Sequence, residues 1–150
     1  MFPITCDTTK KGSFPIITIG LIMVCVAIFF KQGYLGHYTG GFIPIDFTYQ
    51  VFHPFENPLS TVLSLIVSFF LHGNLLHLVS NMWYLWIFGA STESVIRKDR
   101  YLWMYLLCGV LSMLIQAISS PLSGIPIVGA SGAIAGIMGM HLVVLPLSKI

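Results

Sequence analysis

Apolar residues form four runs along the chain, separated by stretches that hold glycine, proline or charged residues. The runs cover residues 14–30, 75–96, 101–118 and 128–147. The first run contains no charged side chain, and a helix of its length is about 26 Å long, close to the roughly 30 Å of a hydrocarbon core. The pattern therefore predicts an all-α membrane protein, a polytopic helix bundle with four transmembrane helices in this chain.

The stretch between the first two runs has a mixed pattern. Residues 31–60 hold glycines, prolines and aromatic side chains, which disfavour a membrane span and are typical of the membrane–water boundary. Residues 61–89 would make a helix of about 43 Å, too long for one span. We expect a break at residues 72–74, with a shorter amphipathic piece at 61–71. Residues 31–74 are thus predicted to form an interfacial loop.

The composition supports a membrane protein. Hydrophobic residues make up 56% of the chain and charged residues 8%, whereas about a quarter of the residues in soluble domains are charged. The three cysteines, Cys6, Cys25 and Cys108, indicate neither a disulfide framework nor a metal quartet. No small-residue cleavage site follows Phe30, so the first run is predicted to be a retained span rather than a signal peptide.

The basic residues predict an orientation. Residues 93–100 hold two carboxylates and three of the seven basic residues, and we expect them to form a cytoplasmic turn. With a cytoplasmic N-terminus and four spans, every Lys and Arg except Lys31 lies on the cytoplasmic side, as the positive-inside rule requires. This topology places Ser131, His77 and Asn81 near the outer ends of their spans, at similar depth.

A serine between glycines, in the segment Gly129-Ala130-Ser131-Gly132, stands at the start of the last run. A hydroxyl there would lie beside unpaired N–H groups and the positive end of a helix dipole, which favours an anionic intermediate. His77 and Asn81 are four residues apart and share one helical face. Helix capping and interhelical hydrogen bonds are the alternative explanation of these three residues. Polar groups in a membrane are costly, however, so three at one depth favour a functional site.

Acyl transfer by a serine needs a base for the hydroxyl proton and donors for the oxyanion. Asn81 can only be a donor, while His77 could be either. His141 lies ten residues beyond the serine on the same predicted helix, about 15 Å along its axis. His37 and His53 are scattered in the loop and are predicted to be structural or solvated. The residues therefore provide a nucleophile and donors but no clear base.

Small residues recur along the last run at intervals of three and four, namely Gly132, Ala135, Gly136 and Gly139. Such spacing allows a helix to approach its neighbours closely within a membrane. We therefore expect this helix to lie at the centre of the bundle.

Two segments together closely resemble the rhomboid family of intramembrane serine proteases. They are HGNLLHLVSNMWYLWIFG at residues 72–89 and VGASGAIAGIMG at residues 128–139. The resemblance covers residues 58–149 and implies that Ser131 is the nucleophile. It also implies that His77 and Asn81 stabilise the oxyanion, together with the backbone around Gly129 and Ser131, and that His72 supports the site. Glu93 matches an acidic residue that family members carry after the second span.

The resemblance implies an intramembrane serine endopeptidase that cleaves transmembrane segments near the outer membrane face. Its partners would be transmembrane protein substrates and the lipid bilayer, with no nucleic acid, cofactor or metal. Rhomboids have at least six spans, and their base is a histidine on the sixth. We therefore expect residues 1–150 to be the N-terminal part of a rhomboid domain, inactive by itself. The alternative is an inactive rhomboid-like protein that binds or escorts transmembrane helices.

Overall fold

A computed structural model describes residues 13–35, 40–53 and 58–148, and these residues form helices joined by short connections. The elements are α1 (Ile16–Leu35), α2 (Pro44–Phe52), α3 (Pro58–Ser68), α4 (Leu75–Tyr84), a π-helical turn (Leu85–Gly89), α5 (Ala90–Val95), α6 (Lys98–Ser119) and α7 (Ser131–Val144). The predicted all-α class is confirmed. His37, Cys6 and the basic residues at 10, 11 and 149 lie outside the described residues.

Two of the described helices are long and apolar enough to cross a membrane. They are the segment Ile16–Gly33 of α1 and the whole of α6. Residues 75–95 are helical throughout but contain the π turn, and α7 has only 14 residues, about 21 Å of helix. The last predicted span, residues 128–147, is therefore longer than α7, the helix found within it. Gly129, with φ +113°, precedes the helix, and Pro146 follows it closely.

The stretch predicted as an interfacial loop, residues 31–74, contains the helices α2 and α3. Helix α3 covers most of the amphipathic piece expected at residues 61–71, whereas α2 was not expected. Pro44 and Pro58 are the first residues of these helices. Proline is well tolerated there because the first turn of a helix needs no N–H donor and the fixed φ suits a helix. These prolines therefore begin helices, whereas the sequence pattern suggested a loop.

The predicted break at residues 72–74 is confirmed. Helix α3 ends at Ser68 and α4 begins at Leu75, with Asn74 as its N-cap. The side-chain oxygen of Asn74 accepts a hydrogen bond of 2.8 Å from the backbone N–H of His77. This bond satisfies one of the four unpaired donors of the first turn.

The charge pattern predicted that Glu93 lies in a turn, but it lies within α5 and is fully buried. Its carboxylate accepts hydrogen bonds from the backbone N–H groups of Ile17 (3.0 Å) and Thr18 (2.8 Å), and from Thr18 Oγ1 (2.8 Å). The hydroxyl of Tyr101 lies 2.9 Å from the same Oγ1. Glu93 therefore accepts hydrogen bonds from first-turn N–H groups of α1, and its negative charge interacts favourably with the positive end of the dipole of that helix. Only residues 96–97 separate α5 from α6.

The main core lies between α1, α4, α6 and α7. Its fully buried members include Cys25, Leu85, Tyr101 and Ile137. A second, smaller apolar cluster contains Phe42 from the segment before α2, Phe69 directly after α3, and Met113 and Ala117 of α6. Each cluster therefore joins helices that are far apart in the sequence.

Helix α7 packs closely on α6 through two of its predicted small residues. A Cβ atom at Gly132 would overlap the side chain of Ser112, and a Cβ atom at Gly136 would overlap that of Cys108. The close approach predicted for this helix is therefore confirmed for these two glycines. Ala135 is exposed, and a Cβ atom at Gly139 would meet nothing within 4 Å.

We predict that Glu93→Ala destabilises the protein strongly, because first-turn donors of α1 lose a charged acceptor. The free energy of unfolding should fall by about 3 kcal/mol, and Glu93→Gln, which keeps one acceptor oxygen, should lose less. Thermal unfolding in detergent, followed by circular dichroism, measures both. Asp99→Ala is the control, because Asp99 is exposed and pairs with Arg97, which is also exposed, so its loss should change little. Equal effects of Glu93→Ala and Asp99→Ala would contradict this account.

Candidate active site

Ser131 is the first residue of α7 and is exposed. The N-cap position belongs to Ala130, and no side chain caps this helix. Ser131 is therefore not the N-cap that the alternative explanation required. Its hydroxyl instead lies at the end of the helix where the first-turn N–H groups have no intrahelical acceptor.

Helices α4 and α7 form the walls of an open cavity of about 380 Å³. The cavity is lined by His77, Ser80, Asn81 and Tyr84 of α4 and by Ser131, Ile134, Ala135 and Met138 of α7. The structure thus brings Ser131, His77 and Asn81 to one cavity, although about fifty residues separate the serine from the other two. Most of the remaining lining is apolar.

Asn81 is held by its own helix. Its Nδ2 donates a hydrogen bond of 3.0 Å to the carbonyl oxygen of His77, one turn earlier. A side-chain amide has two N–H hydrogens, so the second one remains for a group in the cavity. Asn81 is only 7% exposed, and a donor in such surroundings interacts more strongly with a developing negative charge than it would in water.

Gly129 lies directly against the ring of His77. A Cβ atom at this position would be 2.7 Å from His77 Nε2, and the φ of +113° is one that other residues rarely adopt. The N–H of Gly129 donates a hydrogen bond of 2.8 Å to the carbonyl oxygen of Ser68. In this conformation the amide of Gly129 already has an acceptor. What Gly129 contributes in this conformation is the close approach of the backbone to the ring of His77.

His72 is fully buried in the connection between α3 and α4. Its ring packs edge-on against that of His77, with 5.2 Å between the ring centroids. Nδ1 lies 3.3 Å from the carbonyl oxygen of Phe70, to which it donates, and Nε2 has no partner among the described residues. Burial lowers the pKa of His72 to about 4. His72 is therefore a neutral support for the ring of His77.

Comparisons with known proteins show the family of this chain. Residues 59–150 match the Rhomboid domain family. The chain belongs to the rhomboid family. The resemblance drawn from the two sequence segments is therefore confirmed, and the family makes this an integral membrane protein.

Several rhomboid relatives are identical to this chain at about a third of the aligned positions. The mitochondrial presenilin-associated rhomboid-like protein of Bos taurus is 33% identical over 87 residues, which is 55% of this chain and 23% of that protein. The mitochondrial presenilin-associated rhomboid-like protein A of Danio rerio is 32% identical over 99 residues, which is 63% of this chain and 26% of that protein. Rhomboid protease GluP of Bacillus subtilis is 35% identical over 80 residues, 53% of this chain and 15% of that protein. The matches thus span about a quarter or less of these relatives.

Neither His141 nor His53 lines the cavity between α4 and α7. His141 is buried, with Nδ1 close to the hydroxyls of Ser91 (3.3 Å) and Thr92 (3.2 Å) and Nε2 2.9 Å from Ser148 Oγ. It does not line the cavity, which agrees with the distance expected from the sequence. His53 is exposed at the end of α2, where its ring stacks on Tyr49.

Sequence reasoning missed four residues that shape the site. Ser80, Tyr84 and Met138 line the cavity, and each lies three or four residues from another lining residue, a spacing that could have suggested them. Ser68, whose carbonyl oxygen accepts the N–H of Gly129, has no such local signal. Within residues 13–35, 40–53 and 58–148, no three His, Cys, Asp or Glu side chains cluster as metal ligands would.

We predict that Gly129→Ala displaces the ring of His77 and destabilises the protein by about 1–3 kcal/mol, the usual range for a residue held in a sparsely populated conformation. Nuclear magnetic resonance shifts of the His77 ring and thermal unfolding measure the two effects. Gly124→Ala is the matched control, because a Cβ atom there meets nothing within 4 Å. Unchanged His77 shifts in Gly129→Ala would refute the predicted contact.

We also predict that His72 makes stability depend on pH. The unfolded chain takes up a proton on this residue near pH 6.5, whereas burial lowers the pKa of the folded group to about 4. The stability that neutral, buried His72 contributes to the folded protein is therefore complete above pH 6.5 and is lost as the pH falls towards 4. Melting temperatures measured across this range should fall less steeply for His72→Asn, which keeps a donor for the Phe70 carbonyl. The same slope in both proteins would show that His72 is not responsible.

Proposed function

We propose that this rhomboid chain forms part of an intramembrane serine endopeptidase in which Ser131 is the nucleophile. One observation carries the proposal: the exposed Ser131, at the start of α7, shares a cavity with His77 and Asn81 of α4. The family acts on membrane proteins within the lipid bilayer, so the substrate we propose is a transmembrane segment of another membrane protein.

The proposed chemistry is acyl transfer. The hydroxyl oxygen of Ser131 attacks a peptide carbonyl, whose oxygen becomes an oxyanion. The second N–H of Asn81, the ring of His77 and the first-turn N–H groups of α7 stabilise that charge, because preorganised donors in a low-dielectric site favour the transition state. His72 keeps the ring of His77 in place through their edge-on contact. No metal or cofactor takes part in the proposed reaction.

Ser131 also needs a proton acceptor. His141 is too far from the cavity, and we assign His77 to the oxyanion. We therefore propose that the base comes from a further helix of the full-length protein, as the resemblance to rhomboids implies. Residues 1–150 alone would then bind the substrate carbonyl without cleaving it.

The membrane topology is part of the proposal. We place the N-terminus in the cytoplasm, four spans in the described helices, and the cavity near the outer face. In this arrangement α2 and α3 lie at the outer interface, which suits the exposed apolar side chains they share: Ile45, Phe52, Leu59, Val62, Leu63 and Ile66. Side chains of this kind are stable at a lipid surface but not in water.

A second candidate is a non-catalytic rhomboid-like protein that binds or escorts transmembrane helices. Relatives named rhomboid-like rather than protease favour this candidate, and the cavity between α4 and α7 would accept a helix without any chemistry. Binding alone, however, needs neither an exposed hydroxyl at a helix start nor the donors beside it. We therefore prefer the protease.

We predict that in the full-length protein Ser131→Ala abolishes cleavage of a transmembrane substrate, whereas Asn81→Ala lowers turnover by about 10²–10³, the usual cost of losing one oxyanion donor. Gel-based cleavage assays in liposomes measure both. Ser119→Ala is the control, because its hydroxyl is exposed and bonds only to the carbonyl of Ile115. Substrate binding without cleavage by the wild-type protein would favour the second candidate, and cleavage by Ser131→Ala would exclude Ser131 as the nucleophile.

A further inference from the structure

Three segments that are distant in the sequence meet beside the candidate nucleophile: residues 40–43, the end of α3, and the loop at 126–130. Phe42 and Ile127 form an isolated antiparallel bridge, in which the N–H of Ile127 donates to the carbonyl oxygen of Phe42 at 2.8 Å. A Cβ atom at Gly41 would lie 2.7 Å from Pro126 Cβ. The segment before α2 therefore lies directly on the loop that leads to Ser131.

Ser68, the last residue of α3, connects these segments with both of its oxygen atoms. Its side-chain Oγ accepts the N–H of Phe42 (2.6 Å) and donates to the carbonyl oxygen of Ser64 (2.6 Å). Its backbone carbonyl accepts the N–H of Gly129 (2.8 Å). Ser68 is fully buried, and its single hydroxyl proton is used in the bond to Ser64. The roles of donor and acceptor are therefore assigned at each of these bonds.

The bonds form a closed circuit, which we call the Ser68 circuit: Phe42 to Ser68, Ser68 to Gly129, and Ile127, two residues before Gly129, back to Phe42. Gly129 is the member that touches the site, since a Cβ atom there would be 2.7 Å from His77 Nε2. The circuit thus determines where the loop before Ser131 lies relative to His77. A displacement of about 1 Å in such a site can lower turnover about 10²-fold.

We propose that Ser68 is a positioning residue for the reaction: its buried hydroxyl ties residue 42 of the segment before α2 to the end of α3, and its backbone carbonyl holds Gly129 of the loop that leads to Ser131. This inference rests on the proposed function. Ser68 touches no substrate, so it acts through Gly129 and the bridge between Phe42 and Ile127. Movement of the segment before α2 is then coupled to the geometry of the oxyanion site.

A purely structural role predicts a different result. Removing the hydroxyl leaves the buried N–H of Phe42 without its acceptor, which destabilises the protein in either case. A structural residue would lower the amount of folded protein but not the turnover of what remains folded. A positioning residue lowers kcat of the folded protein while KM, which reports substrate binding away from the loop, stays nearly constant.

The test uses the full-length protein in liposomes, at a temperature well below unfolding. Ser68→Ala is expected to lower kcat about ten- to a hundredfold, with KM within about twofold of the wild-type value. Ser91→Ala is the matched control: Ser91 is also buried and its Oγ donates to a carbonyl four residues earlier at 2.6 Å, but it does not line the cavity. The control should lose stability and keep kcat. Equal kcat values in wild type and Ser68→Ala overturn the proposal.

Ser68→Thr and Ser68→Val provide a second comparison that remains useful if Ser68→Ala does not fold. The two side chains have nearly the same shape, and only threonine keeps the hydroxyl. The kcat of Ser68→Thr should exceed that of Ser68→Val about tenfold or more. Equal values would show that the hydroxyl does not matter and would overturn the proposal.

Amide hydrogen exchange gives a readout that does not depend on catalysis. The N–H groups of Gly129 and Ile127 should exchange at least about tenfold faster in Ser68→Val than in Ser68→Thr, while those in the middle of α6 stay unchanged. Unchanged exchange at both positions would overturn the circuit itself. If the circuit behaves as expected but Ser131→Ala still cleaves substrate, the proposed function fails and the structural coupling stands.

Discussion

The contact between α6 and α7 is the constraint on which the rest of the site depends. Gly132 and Gly136 lie against the side chains of Ser112 and Cys108, so closely that even a methyl group would overlap them. In a lipid environment helices gain little from burying apolar surface against each other, and close packing of small residues supplies the attraction instead. This contact holds α7 in the bundle, where its first residue, Ser131, shares a cavity with α4.

A second constraint is that backbone polar groups removed from water need hydrogen-bond partners within the protein. Helices satisfy most of their own groups, but the loop before α7 and the segment before α2 cannot. Their N–H groups at Phe42, Ile127 and Gly129 find acceptors through the Ser68 circuit. The same bonds that satisfy the backbone therefore also hold the loop before Ser131 against α3.

For Glu93 the charge pattern predicted a turn, whereas the structure shows a buried helical residue. Charged residues near the end of an apolar run usually mark a cytoplasmic loop, and Arg97 and Asp99 do pair on the surface. Glu93 lies only four residues before Arg97 but is buried, because the first turn of α1 offers it two N–H groups and a hydroxyl. These donors belong to residues about 75 positions earlier in the chain, and no local pattern around Glu93 reveals them.

The sequence by itself determined the all-α class, the rhomboid family, the break at residues 72–74 and the close packing of Gly132 and Gly136, because helix period, capping and side-chain size act over a few residues. It also placed His77 and Asn81 on one face. Only the tertiary structure decided that Ser131 shares their cavity and that the N–H of Gly129 is bound to Ser68. Those features arise from contacts between distant segments, whose relative positions depend on the packing of the whole bundle.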